Sequence, residues 1–232
     1  FHSYGCCNVP GVITFDNEGS FTKTGSSSYD FDYSVAIQGA GSWDFNGGTM
    51  NLNSYAAGLL SGAISAAAGT ALYFYSGNYQ LTGGLAAPAG VVHFNGASVD
   101  FTAGYAVADL NLNSGTVAFE YDATVPALSM FGGTLAGAHA LTLTGAGNWN
   151  GGAISLNQLT VAAGSVLTLA NNNDHNLSGS VLTNNGTVNQ GPAWIADYYG
   201  PNSTVGNNGT WGAGSGGAYT GGVHSYGYGS GN

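Results

Sequence analysis

Arginine is absent from the sequence and Lys23 is its one lysine, set against eleven acidic residues for a formal net charge of −10. Nucleic-acid binding depends on Lys and Arg neutralising phosphates, so nucleic-acid partners are excluded. Phosphate-handling chemistry and anionic membrane surfaces are disfavoured on the same ground. Trypsin has a single place to cut, which suits a durable extracellular protein. Charged residues of both signs make up 5% of the chain, against about a quarter in ordinary soluble domains. No apolar run approaches the ~20 residues that span a bilayer, so no membrane span is expected. No basic segment leads into an apolar one near the start, as expected of a mature secreted chain. The two cysteines, Cys6 and Cys7, are adjacent. Disulfide geometry wants Cα atoms ~5.5 Å apart, so these two suit bonds to a neighbouring copy, or free thiols, better than a bond to each other. A zinc site needs about four ligands. His2 is the one close addition, so no metal is expected there.

What the chain has in quantity is glycine, 41 of 232 residues, with 12% aromatics and a hydrophobic fraction of 44%. That is enough apolar material for a core. A five-residue corner recurs: Asn, any residue, Gly, a small residue, an apolar one. It begins at Asn17 (with Gly19), Asn46 (Gly48), Asn113 (Gly115), Asn150 (Gly152), Asn184 (Gly186) and Asn207 (Gly209), and Phe131-Gly132-Gly133-Thr134-Leu135 varies it. Asn and Gly tolerate positive φ at a sharp bend, and a following Thr and apolar residue suit a pleated strand. The spacings are 18 positions from 113 to 131, 19 to 150, 34 to 184 and 23 to 207. These read as one or two multiples of a unit at the short end of solenoid periods. So short a unit cannot bury its own core and must stack on a copy of itself. A sandwich of hairpins also has many short strands and turns, but it does not explain a corner that keeps its own sequence.

The strands follow the same logic. Tyr29, Phe31, Tyr33, Val35 and Ile37 alternate with polar or small residues, which predicts one strand with a buried and a wet face. Asp30 and Asp32 then share the wet face, and with Asp16 and Glu18 they are candidate Ca²⁺ ligands or simply solvated acids. Residues 54 to 90 lack the corner, so the register is not legible there, and Gly58, Gly62 and Gly69 argue against an Ala-rich helix. From Val91 to Gln190 triplets such as Leu110-Asn111-Leu112, Val117-Ala118-Phe119 and Leu141-Thr142-Leu143 read apolar, polar or small, apolar. Stacked Asn side chains at the corners predict amide ladders along the axis. At ~18 residues per turn and ~4.8 Å rise, about ten turns make a rod on the order of 50 Å long.

Asn17-Glu18-Gly19-Ser20-Phe21-Thr22-Lys23-Thr24-Gly25, Leu141 to Gly145 leading into Trp149-Asn150-Gly151-Gly152, and Leu159 to Leu169 resemble the repeats of secreted bacterial β-solenoid proteins. The resemblance, over roughly residues 12 to 190, is to autotransporter passengers and filamentous adhesins. It implies a right-handed parallel β-helix at the cell surface. No catalytic motif comes with it.

The expected organisation is an N-terminal Cys-containing segment over 1–11, an all-β solenoid over 12–190 and a Gly/aromatic-rich tail over 191–232 serving as an assembly or capping arm. The tail carries Trp194, Tyr198, Tyr199, Trp211, Tyr226 and Tyr228, which with Phe1 and Tyr4 are candidate assembly aromatics, large anchors at little entropic cost. His224-Ser225-Tyr226-Gly227 repeats His2-Ser3-Tyr4-Gly5, as equivalent sites at a head-to-tail junction would. A solenoid end is an open sheet edge, and subunits meeting head to tail without closing form a filament. The expected function is therefore a structural subunit of an extracellular or cell-surface filament, its partner copies of itself and Cys6 and Cys7 at the joints. An adhesin binding surface glycans is the alternative. An enzyme is the remote one: a hydrolase needs two facing carboxylates ~5–9.5 Å apart, and Asp100 and Asp109 are the candidates. No cofactor is expected beyond Ca²⁺. Four N-glycosylation patterns, such as Asn202-Ser203-Thr204, arise freely in so Asn-rich a chain.

Overall fold

A short strand whose first and third side chains point the same way buries both against a narrow core, provided the chain turns a corner after each strand. The computed structural model describes residues 11–171, 173–198, 202–214 and 222–225, and among them there is no helix. Every paired strand runs parallel to the strand one turn before it, and the turns stack into a β-solenoid of about nine turns, some 21 residues apart.

Each turn has three faces. The first turn places Ile13–Asp16 on the first face, Ser20–Lys23 on the second and Ser28–Tyr33 on the third. These pair with Val35–Gly39, Ser42–Phe45 and the start of Gly48–Leu60 in the next turn. Strands such as Gly48–Leu60, Thr70–Leu81 and Val91–Phe101 run from the third face onto the next first face, with register shifts where they bend. On the second face five strands, Ser20–Lys23 through Tyr105–Val107, form a separate sheet. The stretch of Ala123–Met130 that follows on this face contains Pro126, which has no N–H to give a ladder.

Turn length varies while the triplets stay in register. Ile13 pairs with Val35, 22 positions on, Leu110 with Leu128, 18 on, and Leu159 with Leu182, 23 on. The 18–20 residues expected describe the middle turns only. Extra residues sit in corners, such as Ala162-Ala163-Gly164, where they leave the core undisturbed. Inside, like stacks on like. Phe74 lies over Phe94 with ring centroids 5.2 Å apart and planes 13° apart, and Phe101 over Phe119 at 5.5 Å and 19°. Met50, Leu72, Val92, Leu110 and Leu128 form another buried column.

Two expectations are corrected. Tyr29 to Ile37 is not one strand: the chain turns from third to first face at Tyr33, whose φ is +56°, and the Tyr33 side chain is exposed while Phe31, Val35 and Ile37 are buried. The alternation persisted through a corner and concealed it. Nor does the solenoid stop at Gln190. Ile195–Asp197, Thr204–Asn207 and Thr210–Ala213 add a further turn on the three faces, and Val223–Ser225 pairs with Ile195–Asp197.

Candidate functional site

The two ends of the rod are the first candidate. At the start, Phe15, Phe21 and Tyr29 pack over Phe31 and Trp43 as an aromatic roof, with centroids 5.2 to 5.7 Å apart for Phe15–Phe31, Phe21–Trp43 and Phe21–Tyr29. In the same first turn Lys23 is 5% exposed, its ammonium donating to the carbonyls of Gly25 (3.1 Å) and Gly47. At the far end Gln190 is the organising residue. Its Nε2 donates to the carbonyls of Ala193 (3.0 Å) and Gly222 (2.9 Å), and its Oε1 accepts from the Trp211 indole (3.1 Å). Each end closes on strands that pair on one side only among the described residues. Val12 and Ile13 are exposed at one end and Val223 at the other.

The tail aromatics divide. Trp194 is half-buried, with its ring so close over Gly222 that a Cβ there would meet it at 2.6 Å. The Tyr198 hydroxyl donates to the Asp174 carboxylate, and Trp211 packs against the core. All three belong to the last turn of the solenoid rather than to a separate arm. Phe1, Tyr4, Cys6, Cys7, Tyr199, Tyr226 and Tyr228 lie outside the described residues.

The recurring corner occupies all three edges of the prism. Asn17 and Gly19 stand between first and second faces, Asn46/Gly48, Asn184/Gly186 and Asn207/Gly209 between second and third, and Asn113/Gly115 and Asn150/Gly152 between third and first. The interval of 34 from 150 to 184 is therefore a change of edge, not two turns. Glycine meets the need for positive φ at Gly48, Gly115, Gly133 and Gly152, whereas the motif asparagines do not adopt it. They act through their side chains. Asn184 Oδ1 accepts from the Gly186 N–H (3.0 Å), its Nδ2 donates to Asn207 Oδ1 (2.8 Å), and Asn113 donates to Asn95 Oδ1 (2.7 Å). Each amide pair is a single rung between neighbouring turns, whereas Asn17 donates to the Ser42 carbonyl (2.8 Å).

The proposed Ca²⁺ ligands do not converge. Asp16 accepts from Gln38 on the first face, while Asp30 and Asp32 accept from Asn51 and Asn53 on the third. Among the described residues no three His, Cys, Asp or Glu side chains gather to hold a metal ion. Asp100 and Asp109 are likewise separated, on the first and third faces of one turn. Burial, with Glu120 adding to it, raises the Asp100 pKa. Asp109 accepts from Ser129 and opposes the effect of burial, which lowers the pKa of His93. His175 is 0% exposed; its Nε2 donates to the Trp149 carbonyl (2.6 Å), and its Nδ1 is enclosed without a partner.

One feature escaped the sequence reading. Every exposed aromatic side chain among the described residues lies on the edge between third and first faces: Tyr33 (46% exposed), Tyr55 (76%), Tyr75 (40%) and Phe131 (60%). Beside them on the third face, Tyr73 stacks on Tyr75 (5.3 Å, 11°) and on His93 of the next turn (4.7 Å, 10°). The signal was a tyrosine closing the third-face strand at 33 and 75, with Tyr55 one position past the equivalent place, legible only once the turns are aligned.

The fold defines the chain as a β-solenoid repeat protein. No family model matches it, and neither the curated proteins nor the solved structures contain a match.

Proposed function

We propose that this chain is a structural subunit of an extracellular filament, built by head-to-tail stacking of solenoids, with copies of itself as its partners. The observation that carries the reading is that the rod begins and ends on the same three faces, each carrying a parallel strand. A solenoid end is a sheet edge, and a sheet edge is a template for another strand. A translated copy meets it with matching faces, in a heterologous contact that does not close into a ring. Apolar residues stand at both ends, Val12 and Ile13 at the start and Val223 at the finish. Placement outside the cell rests on the scarcity of charge and on the single, buried lysine.

Sedimentation velocity over a range of concentrations tests it. Native protein is expected to form a growing series of species. Ile13→Asp and Val223→Asp, both at exposed positions on first-face end strands, are expected to hold it as monomer. Monomeric native protein at millimolar concentration would refute the reading.

A further inference from the structure

A further surface lies along the rod rather than at its ends. Tyr33, Tyr55, Tyr75, Asn95, Asn113 and Phe131 mark six successive turns on the edge between third and first faces. Five steps of ~4.8 Å make a strip roughly 24 Å long. Four positions are exposed aromatic rings, and between Tyr75 and Phe131 the two asparagines are bridged by the 2.7 Å bond from Asn113 Nδ2 to Asn95 Oδ1. That bond uses one donor of Asn95's partner and one acceptor of Asn95, leaving the Asn95 amide N–H and the Asn113 amide oxygen for a ligand. The stack of Tyr75, Tyr73 and His93 widens the strip at its centre.

Among the described residues the exposed aromatics are confined to one edge and the other rings are at least partly buried, a pattern that calls for an occupant. We infer that this edge binds a neutral polysaccharide chain laid along the solenoid axis. A pyranose ring offers an apolar C–H face that rests on an aromatic ring and a rim of hydroxyls that exchange hydrogen bonds with amides. The rung spacing is close to the length of one sugar residue, so a linear polymer meets ring after ring. Away from that central stack the strip is one side chain wide. A stable protein interface buries about 1,200–2,000 Å², which argues against a second protein on this edge. With a net charge of −10 and its one lysine buried, the rod repels acidic polysaccharides.

Affinity gel electrophoresis in hydroxyethylcellulose, xylan and galactomannan, with polygalacturonate as the acidic control, tests the inference. Retardation by at least one neutral polymer and none by polygalacturonate is expected. Tyr55→Ala and Tyr75→Ala are each expected to weaken binding about tenfold, and the triple variant with Phe131→Ala to abolish it. These side chains are exposed, so circular dichroism and melting of the variants are expected to match the native protein. Ile13→Asp and Val223→Asp are expected to bind normally, which keeps this result separate from filament assembly. The inference is overturned if no neutral polymer retards the protein, if polygalacturonate binds as tightly, or if the triple variant binds like the native chain. Loss of side-by-side bundling in the triple variant with glycan binding intact would assign the edge to contacts between copies instead.

Discussion

The His175 side chain lies inside the solenoid with its Nε2 2.6 Å from the carbonyl oxygen of Trp149 in the turn before, and its ring packs edge-on against the Trp149 indole at 4.9 Å. Burial holds its pKa below the ordinary 6.5, against the opposing pull of the carbonyls of Trp149, Trp194 and Ala170 and of Asp174. The neutral ring fits the site, and the unfolded chain takes up a proton first as pH falls. The stability tied to this group is therefore complete above about pH 6.5 and is lost as pH falls toward the depressed folded value. Urea titrations at pH 7.5 and 5 are expected to show that loss, and His175→Gln is expected to remove part of it. An equal pH dependence in the variant would assign the effect to other groups, His93 among them, whose pKa burial also lowers.

Gly133 has a φ of +73°, and a Cβ there would stand 2.6 Å from the Gly115 carbonyl oxygen one turn below. Gly152 stands in the same relation to Gly133, at 2.4 Å. Gly133→Ala therefore combines a strained backbone with a clash against main chain, and about 2 kcal/mol or more of stability is expected to be lost. Gly164 also has positive φ but open space around it, so Gly164→Ala is expected to cost less. Chemical denaturation of the pair separates the two contributions.

Lys23 is the single tryptic site and is buried in the first turn with its ammonium on two carbonyls. Native protein is expected to resist trypsin, and cleavage after Lys23 to track opening of the first turn. Lys23→Met leaves the Gly25 and Gly47 carbonyls without that donor, at a cost of about 1–3 kcal/mol. Rapid cutting of the native rod at low protease would contradict the buried placement.

Five of the eleven acids, Asp16, Glu18, Asp30, Asp32 and Asp44, lie in the first two turns, with Lys23 the one cation among them. Asp174 and Asp197 lie near the far end, so two copies meeting head to tail bring like charge together. Salt shortens the reach of such repulsion to about 10 Å at 0.1 M, so light scattering is expected to report faster assembly as ionic strength rises. Slower assembly in salt would mean that the junction is held by ion pairs.

The sequence made the core of this protein legible because its strands are short and strictly patterned. Leu110, Leu112, Leu141 and Leu143 are all fully buried, as their triplets require. The edges were less legible because all three corners pose the same problem, so one motif solves each and its spacing mixes turns with edges. Tyr33 misled because its position fits the alternation on both sides of a corner. Trp194 and Trp211 belong to a turn whose corners are rich in Gly and Asn, a composition shared with flexible tails. The aromatic edge needed the alignment of turns of 22, 20 and 18 residues, lengths set by corner insertions that carry no periodic signal.

Electron microscopy of the protein at high concentration, with and without reductant, tests the central claim most directly. The account predicts unbranched filaments with an axial subunit repeat near the length of one rod, roughly 45 Å for about nine turns at the rise of stacked β-strands. Loss of the filaments on reduction would place Cys6 and Cys7 at the joints, while persistence would leave strand pairing as the whole of the contact. Isolated rods of that length under every condition would contradict the account.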